Sequence, residues 1–589
     1  MLVDLRAGSR GKPRRAVRRH ALVSSAATAR AARPVARRRR NRAGKQGGLR
    51  WRTGLQADAG VADRDRGPNP TPAYGVITHD VAIVGAGPTG LALANLLGGA
   101  GVHTIVLERN AATASEPRAV IMDDESMRAL QAMGLADAML PHVREGRATR
   151  YVARPDAAQP FAEVNPQGQE YGWPKRLRIH QPDLERVLRT GLERFGSVEV
   201  RYDTKVASLR VGPGEVALLI EGGDAVHARR VVACDGGSSA VRRELGIATT
   251  GDSYAEPWLV VDLVDDPFDP PDTTIVCDPR RPAVSVPGPH RRRRFEFMIK
   301  HGESRERFLE PATIARLLAD YGYDERHRAT IDRQTIYVFH ARSATELRRG
   351  PVLLAGDAAH MMPPFMGQGL NSCIRDAWNL GWKLALDARG VGGEALLDSY
   401  ETERRPHVEK MIATSVTVAE LAMTTSRIKA AIRNLAFTIA KRVPSVRRHI
   451  NGQFFKPRPE MEEGLFVMPM GHRGPVAKML PQARLGGRRL DDVLGDGFAL
   501  VGLGIEPRRD HHLWHRLGAR SVRLGPGGLA LDGPAGALHV LLDEHAGQVL
   551  VVRPDRYVAG KFAPDGEQAF ADALADLIGW QAPLHEAAE

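Results

Sequence analysis

Apolar runs alternate along this chain with polar, glycine-bearing turns, and their spacing predicts most elements. Asp80-Val-Ala-Ile-Val84 reads as a buried strand, residues 91–97 as an apolar helix, and 103–107 as a second strand ending at Glu108. Met127, Leu130, Met133 and Leu135 fall on one helical face, behind Asp123, Asp124 and Glu125, whose charges suit a helix N-terminus. Another helix starts at His180-Gln181-Pro-Asp. Strands are expected over 198–202, 216–220, 260–264, 274–277, 295–299 and 335–339, so regions 140–180 and 252–345 read as sheet. Residues 351–355 form a buried strand, and Ile374, Ala377, Trp378, Leu380, Gly381 and Leu384 carry helical spacing. Residues 411–450 are helical. Beyond about residue 474 the pattern turns to short strands at 498–501, 538–542 and 549–552, the last two as a hairpin around Glu544-His-Ala-Gly547. A final helix begins near residue 567.

Three of these strands end in turns with candidate chemistry. The first runs into Gly85-Ala-Gly87-Pro88-Thr89-Gly90, a Gly-x-Gly-x-x-Gly turn entering a helix. Glu108 follows about twenty residues later, where a dinucleotide-binding βαβ unit places its ribose-binding acid. The second is Arg230-Val-Val-Ala-Cys-Asp235-Gly236, again strand, acidic turn and helix. The third is Gly356-Asp357 followed by Pro363-Pro364-Phe365-Met-Gly367-Gln368-Gly369-Leu370-Asn371. An Asp at a strand end accepts hydrogen bonds from sugar hydroxyls. A glycine loop entering a helix turns N–H groups and the positive dipole end toward an anion, so residues 367–371 suit a negatively charged ring.

Charge changes the picture only at one end. The chain has 589 residues and a net charge of +14, but residues 1–50 carry 16 Lys or Arg and one acid, leaving −1 for residues 51–589. This Arg-, Ala- and Gly-rich segment reads as disordered. A start assigned too far upstream, a transit peptide and an anion-binding arm around Arg37–Arg40 each account for it. Residues 51–77 read as linker. The cysteines, Cys234, Cys277 and Cys373, form no close-spaced motif, so neither a disulfide framework nor a metal site is expected, and the compartment reads as reducing. No 18-residue apolar span suggests a membrane helix. His360 reads as a packed, hydrogen-bonding residue in preference to a catalyst. Arg291–Arg294 suits a substrate carboxylate or, more simply, a solvated loop.

Three nucleotide-type strand ends in this order resemble the class A flavoprotein monooxygenases, the family of p-hydroxybenzoate and phenol hydroxylases. The resemblance runs from about residue 78 to 410 and continues more loosely to the end. Within the family, the Pro-Pro-Phe-Met-Gly-Gln-Gly block, Pro117-Arg118-Ala119 and Asp278-Pro-Arg-Arg-Pro-Ala-Val-Ser-Val-Pro287 look most like the 3-(3-hydroxyphenyl)propionate hydroxylases. The resemblance implies an α/β fold: a Rossmann-like FAD/NAD(P)-binding domain over 78–410 with an inserted substrate sheet, a helical connection over 411–473, and a thioredoxin-like C-terminal domain over 474–589. That last domain holds no cysteine, which leaves it a packing or dimer role.

It also implies tightly bound, non-covalent FAD, with NADH or NADPH, O2 and a phenolic aromatic acid as co-substrates, and oxygen transfer through a flavin C4a-hydroperoxide. The implied cofactor contacts are Gly85, Gly87, Pro88, Thr89, Gly90, Glu108, Arg109, Arg118, Gln181, Asp235, Gly236, Gly356, Asp357, Pro364, Gly367, Gln368, Gly369, Leu370 and Asn371. The base that activates the phenol stays unassigned among tyrosines and histidines of the sheet region. No second complete Gly-x-Gly-x-x-Gly unit and no cysteine pair beside the first are present, which argues against a disulfide reductase. The expected protein is cytoplasmic, without nucleic-acid or membrane partners. A homodimer is compatible with the chain. Other readings are a hydroxylase of another phenol or polyketide ring, a different flavin enzyme such as a halogenase or reductase, and a non-catalytic flavin- or nucleic-acid-binding protein.

Overall fold

The computed structural model describes residues 78–113, 116–453, 456–469, 471–533 and 536–580. The expectations for the Arg-rich extension and linker, 1–77, lie outside the described residues. The core is a sheet in the order Arg348–Arg349, Val352–Leu354, Ala225–Ala233, His79–Val84, Thr104–Leu107, Val198–Arg201. All but the first of these run parallel. Parallel strands covered on both faces need apolar residues at every position, and Val81 to Val84, Val231 to Ala233 and Val352 to Leu354 are all buried. The strands ending at Val84, Ala233 and Leu354 are immediate neighbours pointing the same way. Three turns separated by 120 to 150 residues in sequence, as a rough span, therefore emerge side by side at one carboxyl edge, where open α/β sheets bind ligands.

A second sheet of seven strands runs in the order Thr330–Tyr337, Trp258–Val264, Arg293–Met298, Ala283–Pro287, Thr273–Val276, Thr149–Val152, Ala162–Val164. It is contributed from both sides of the Asp235-Gly236 turn, as the inserted-sheet reading expects. Alternation divides its faces: Phe295, Phe297 and Ile299 pack with Ile314 and Leu318 of the helix Pro311–Ala319, whereas Arg294 and Glu296 point to the opposite side.

The helix Glu394–Ala422 runs through residues 410 and 411 without a break, followed by Arg427–Ala440 and Pro444–Asn451. The C-terminal domain is built as strand Ala499–Leu503, helix His512–Arg516, strand Arg520–Leu524, helix Ala537–Glu544, strands Val549–Val552 and Val558–Phe562, and helix Glu567–Ile578. Its sheet order is second, first, third, fourth, with the first two strands parallel and the rest antiparallel. The strand expected at 538–542 is corrected here. That segment is helical, with Leu538, Leu541 and Leu542 spaced to turn one face onto the sheet. The real hairpin joins Val549–Val552 to Val558–Phe562, through a turn in which Arg556 takes a φ of 67°.

Candidate active site

One cavity of about 1030 Å³ extends along the carboxyl edge of the first sheet and under the inner face of the second. Its lining includes Gly85, Gly87, Pro88, Thr89, Glu108, Arg109, Arg118, Gln181, Asp235, Gly236, Asp357, Pro364, Gly367, Gly369 and Leu370.

The first turn shows why three glycines stand there. Gly85 has a φ of 108°, and a Cβ on it would lie 2.5 Å from the Cys234 carbonyl oxygen. A Cβ on Gly90 would lie 2.0 Å from the carbonyl oxygen of Gly85. Gly87 is the opposite case, with nothing within 4 Å of that position. Its backbone faces open space at the uncapped start of helix Pro88–Gly99, a cradle for a diphosphate. Glu108 closes the turn: its Oε2 accepts from the Ala86 N–H at 2.8 Å, and its Oε1 from the Asn110 N–H at 2.9 Å.

Asp235 Oδ2 accepts from the N–H groups of Ala240 and Val241 at 2.7 and 3.2 Å, fixing the following helix, while its buried Oδ1 has no donor. Gln181 works on the opposite wall, its Oε1 accepting from the N–H groups of Arg118 and Ala119 at 3.1 and 2.7 Å. Helix Gly369–Ala388 starts at the cavity with no side-chain cap. The Cys373 thiol, which burial keeps protonated, points at Asp357 Oδ1 from 3.6 Å. An open N–H cradle, an acid at the end of the second strand and a helix N-terminus without a side-chain cap fit an elongated dinucleotide.

Four expected contacts do not line the cavity. Gly90 and Gly356 pack against Gly85 and Thr89 beneath it. Gln368 turns away, its Oε1 accepting from Arg375 at 3.2 Å. Asn371 also turns inward: its Oδ1 accepts from the Asp123 N–H at 2.9 Å and the Ser126 hydroxyl at 2.7 Å, and its Nδ2 donates to the Gly367 carbonyl at 2.6 Å. These two side chains are bonded within the protein and shape the loop. Asp123 caps its helix, accepting from the Ser126 N–H at 3.0 Å. With Glu125 it is neutralised by Arg375 and Lys456.

His360 is a packed residue: its Nε2 lies 2.6 Å from Asp376, which also accepts from the Gly356 N–H at 3.0 Å and from Arg404 at 2.9 Å. Asp376 lies between Ile374 and Ala377 of the helix, where a carboxylate in an apolar face is the sequence signal for such a buried partner. The solvated-loop reading fails for Arg294, which is buried in a strand and held by Asp262 at 2.7 Å and by the carbonyls of Pro117 and Arg118 at 2.5 Å.

The far half of the cavity is apolar and aromatic. Pro364 and Phe365 line it, and Phe365 packs at 5.5, 5.8 and 6.2 Å from Trp258, Phe339 and Tyr254. Val260, Ile275, Val284 and Val286 cover the sheet side. Glu296 lies among them; burial pushes its carboxyl above the ordinary range, with Arg294 opposing. Strand alternation with Phe295 and Phe297 was the signal that marks it.

A family model described as an FAD binding domain matches residues 78–415, and one described as the HcaD C-terminal domain matches 477–577. The chain is 40% identical over 509 residues, 82% of its length and 90% of the relative's, to a 3-(3-hydroxy-phenyl)propionate/3-hydroxycinnamic acid hydroxylase of Mycolicibacterium smegmatis. The protein of that name from Klebsiella pneumoniae subsp. pneumoniae is 39% identical, over 85% of this chain and 95% of the relative. The flavin-dependent monooxygenase PieE, solved with FAD and substrate, shares the fold with a TM-score of 0.71 at 21% identity, over 85% of this chain and 99% of PieE. The chain belongs to the FAD-binding class A monooxygenases. It is an FAD-dependent aromatic hydroxylase with an added C-terminal domain.

Among the described residues no helix is long and apolar enough to cross a membrane.

Proposed function

We propose that this enzyme hydroxylates a phenolic aromatic acid of the 3-(3-hydroxyphenyl)propionate type to its 2,3-dihydroxy product, with NADH or NADPH and O2. The observation that carries this reading is the single cavity shared by the dinucleotide turns and the aromatic wall. The named activity of relatives about 40% identical over most of both chains supports the substrate class.

The chemistry supplied by bound FAD is reduction by the nicotinamide and activation of O2 for transfer of one oxygen atom to the ring. The protein's part is positioning and electrostatics. Gly87 and Thr89 would receive the diphosphate on backbone N–H groups, and Glu108 and Asp357 would accept from sugar and ribityl hydroxyls. The N-terminus of helix Gly369–Ala388 and the loop from Pro364 to Leu370 favour negative charge at the ring. Phe365, Trp258 and Phe339 exclude water from the space beside it. Glu296, buried and raised in pKa, accepts the phenol proton and makes the ring more nucleophilic.

The strand and helix order of the C-terminal domain, with its sheet order, supports the thioredoxin-like reading in a form without cysteine. A homodimer is supported by the outer face of helix Arg427–Ala440, where Ile428, Ile432, Leu435 and Ile439 stand exposed. Three buried, unpaired thiols support a reducing, cytoplasmic setting.

The test is oxygen transfer. With isotopically labelled O2, 3-(3-hydroxyphenyl)propionate or a close meta-substituted phenol accelerates NADH oxidation and yields a labelled catechol. Peroxide as the only fate of the reducing equivalents, across a broad phenol panel, overturns the reading.

A further inference from the structure

Arg176 lines the cavity beside Thr149, Thr273 and Gln453, and among the described residues no carboxylate pairs with it. Its Nη1 donates to the Thr149 hydroxyl at 2.8 Å and to the Arg147 and Val164 carbonyls at 3.3 Å. Its Nη2 reaches only Gln453 Oε1, at 3.4 Å. Behind it stands Arg178, on the same face of strand Leu177–Ile179. This guanidinium is fully buried, and none of its three nitrogens has a hydrogen-bond partner. Both side chains stack over Gly146, where a Cβ would lie 3.1 Å from Arg176 Cγ and Arg178 Cζ. Burying one cation without a counter-ion is costly; burying two side by side is more so. Asp272 lends Arg178 some negative charge without hydrogen-bonding to it, opposed by Arg176 and Arg144, and a ligand carboxylate in the cavity would supply more.

The surroundings fit a carboxylate. Thr149, Thr273 and Gln453 line the cavity there, and the Thr273 hydroxyl is buried without a partner. Thr273 and Thr149 are paired across two strands, and Ile275 and Tyr151 form the next pair toward the apolar stretch. A ring lying on the valines therefore has a cationic, hydroxyl-lined pocket beyond one edge.

We infer that Arg176, with Arg178 behind it, forms a subsite for the carboxylate of the aromatic acid and selects acids over uncharged phenols. This rests on the proposed substrate class, but its test is a binding experiment that needs no turnover. The flavin absorbance of the holoenzyme is titrated with 3-phenylpropionate, which lacks the ring hydroxyl, and with 3-phenylpropan-1-ol, which lacks the charge. Wild-type enzyme binds the acid more tightly, by at least about tenfold. Arg176→Met weakens the acid on the order of 100-fold and leaves the alcohol within about threefold, and Arg176→Lys recovers part of the loss. Arg178→Met weakens the acid less and raises the melting temperature of ligand-free enzyme, because it removes an unpaired buried charge.

Equal affinities of wild type for acid and alcohol overturn the subsite, and that measurement needs no variant. Equal weakening of both ligands in Arg176→Met, or an unchanged acid affinity, does the same. An enzyme that passes these tests but hydroxylates no phenol keeps the subsite and loses the hydroxylase substrate. One that hydroxylates the acid but binds acid and alcohol alike as wild type does the reverse.

Discussion

His360 Nε2 and the Asp376 carboxylate lie 2.6 Å apart with both side chains buried, and through this contact a helix holds the loop that carries Asp357. Burial alone would raise the Asp376 carboxyl, but His360 and Arg404 override it and hold it at about 2. That is below the unfolded value of about 4. The stabilisation is therefore complete above about pH 4 and is lost as pH falls toward 2. Asp376→Asn should cost about 3 kcal/mol at neutral pH and weaken FAD binding through Gly356. Urea unfolding of the apoprotein at pH 7 and pH 3 checks it; a deficit that does not shrink in acid contradicts the assignment.

The glycines of the first turn should separate folding from cofactor binding. Gly87→Val places its side chain in open space, so the apoprotein should melt within a few degrees of wild type yet lose FAD affinity at least about 100-fold as the cradle fills. Gly90→Ala meets a carbonyl oxygen instead and should destabilise the fold itself, by roughly 2 kcal/mol or more. Calorimetry of the apoproteins with flavin titration decides; the reverse pattern would sink the assignment.

Glu403 joins the C-terminal domain to the rest. Its oxygens each accept from Arg553 at 2.8 Å, and Asn379, Lys383 and the Leu465 N–H add bonds of 2.7, 2.9 and 2.9 Å. Despite burial, Arg553 and Lys383 hold its carboxyl well below the usual range. Glu403→Leu leaves the buried Lys383 without its carboxylate and Arg553 with Asp555 alone, and should cost about 3–5 kcal/mol. Limited proteolysis should then release the C-terminal domain first. Wild-type resistance and stability in this variant would show that the network carries little weight.

Glu296→Gln keeps the shape of the cavity and removes the proposed proton acceptor. We expect kcat to fall about 100-fold, with flavin content and substrate affinity preserved. The acid-side limb of the pH–kcat profile should disappear with it. A full-rate variant with an unaltered profile would move the base to another residue, Tyr337 and His340 being the next in the lining.

The exposed stripe on helix Arg427–Ala440 predicts how the proposed dimer responds to salt. Ile428 and Ile432 are 74% and 64% exposed, and the cations Arg427, Lys429, Lys441 and Arg442 flank the stripe with no acid between residues 427 and 449. Two such faces repel, so sedimentation should show dimerisation strengthening as salt screens them. Ile432→Asp should give a monomer with flavin intact. A wild-type monomer at all concentrations refutes the interface.

Local periodicity made the three strand–turn junctions at Val84, Ala233 and Leu354 readable, because buried parallel strands need unbroken apolar runs and a dinucleotide turn needs glycine within a few residues. The inserted sheet was readable for the same reason. Tertiary structure alone decided where polar side chains point. Gln368 and Asn371 share a motif with Gly367 and Gly369, yet their partners are Arg375 and a helix some 250 residues upstream. The helix at 537–544 has an apolar run short enough to read either way, and packing onto the neighbouring sheet settles it. Arg176 and Arg178 were silent in the sequence. Two arginines spaced by one residue are ordinary on a surface strand, and only the fold shows them buried, side by side and without a hydrogen-bonded carboxylate among the described residues.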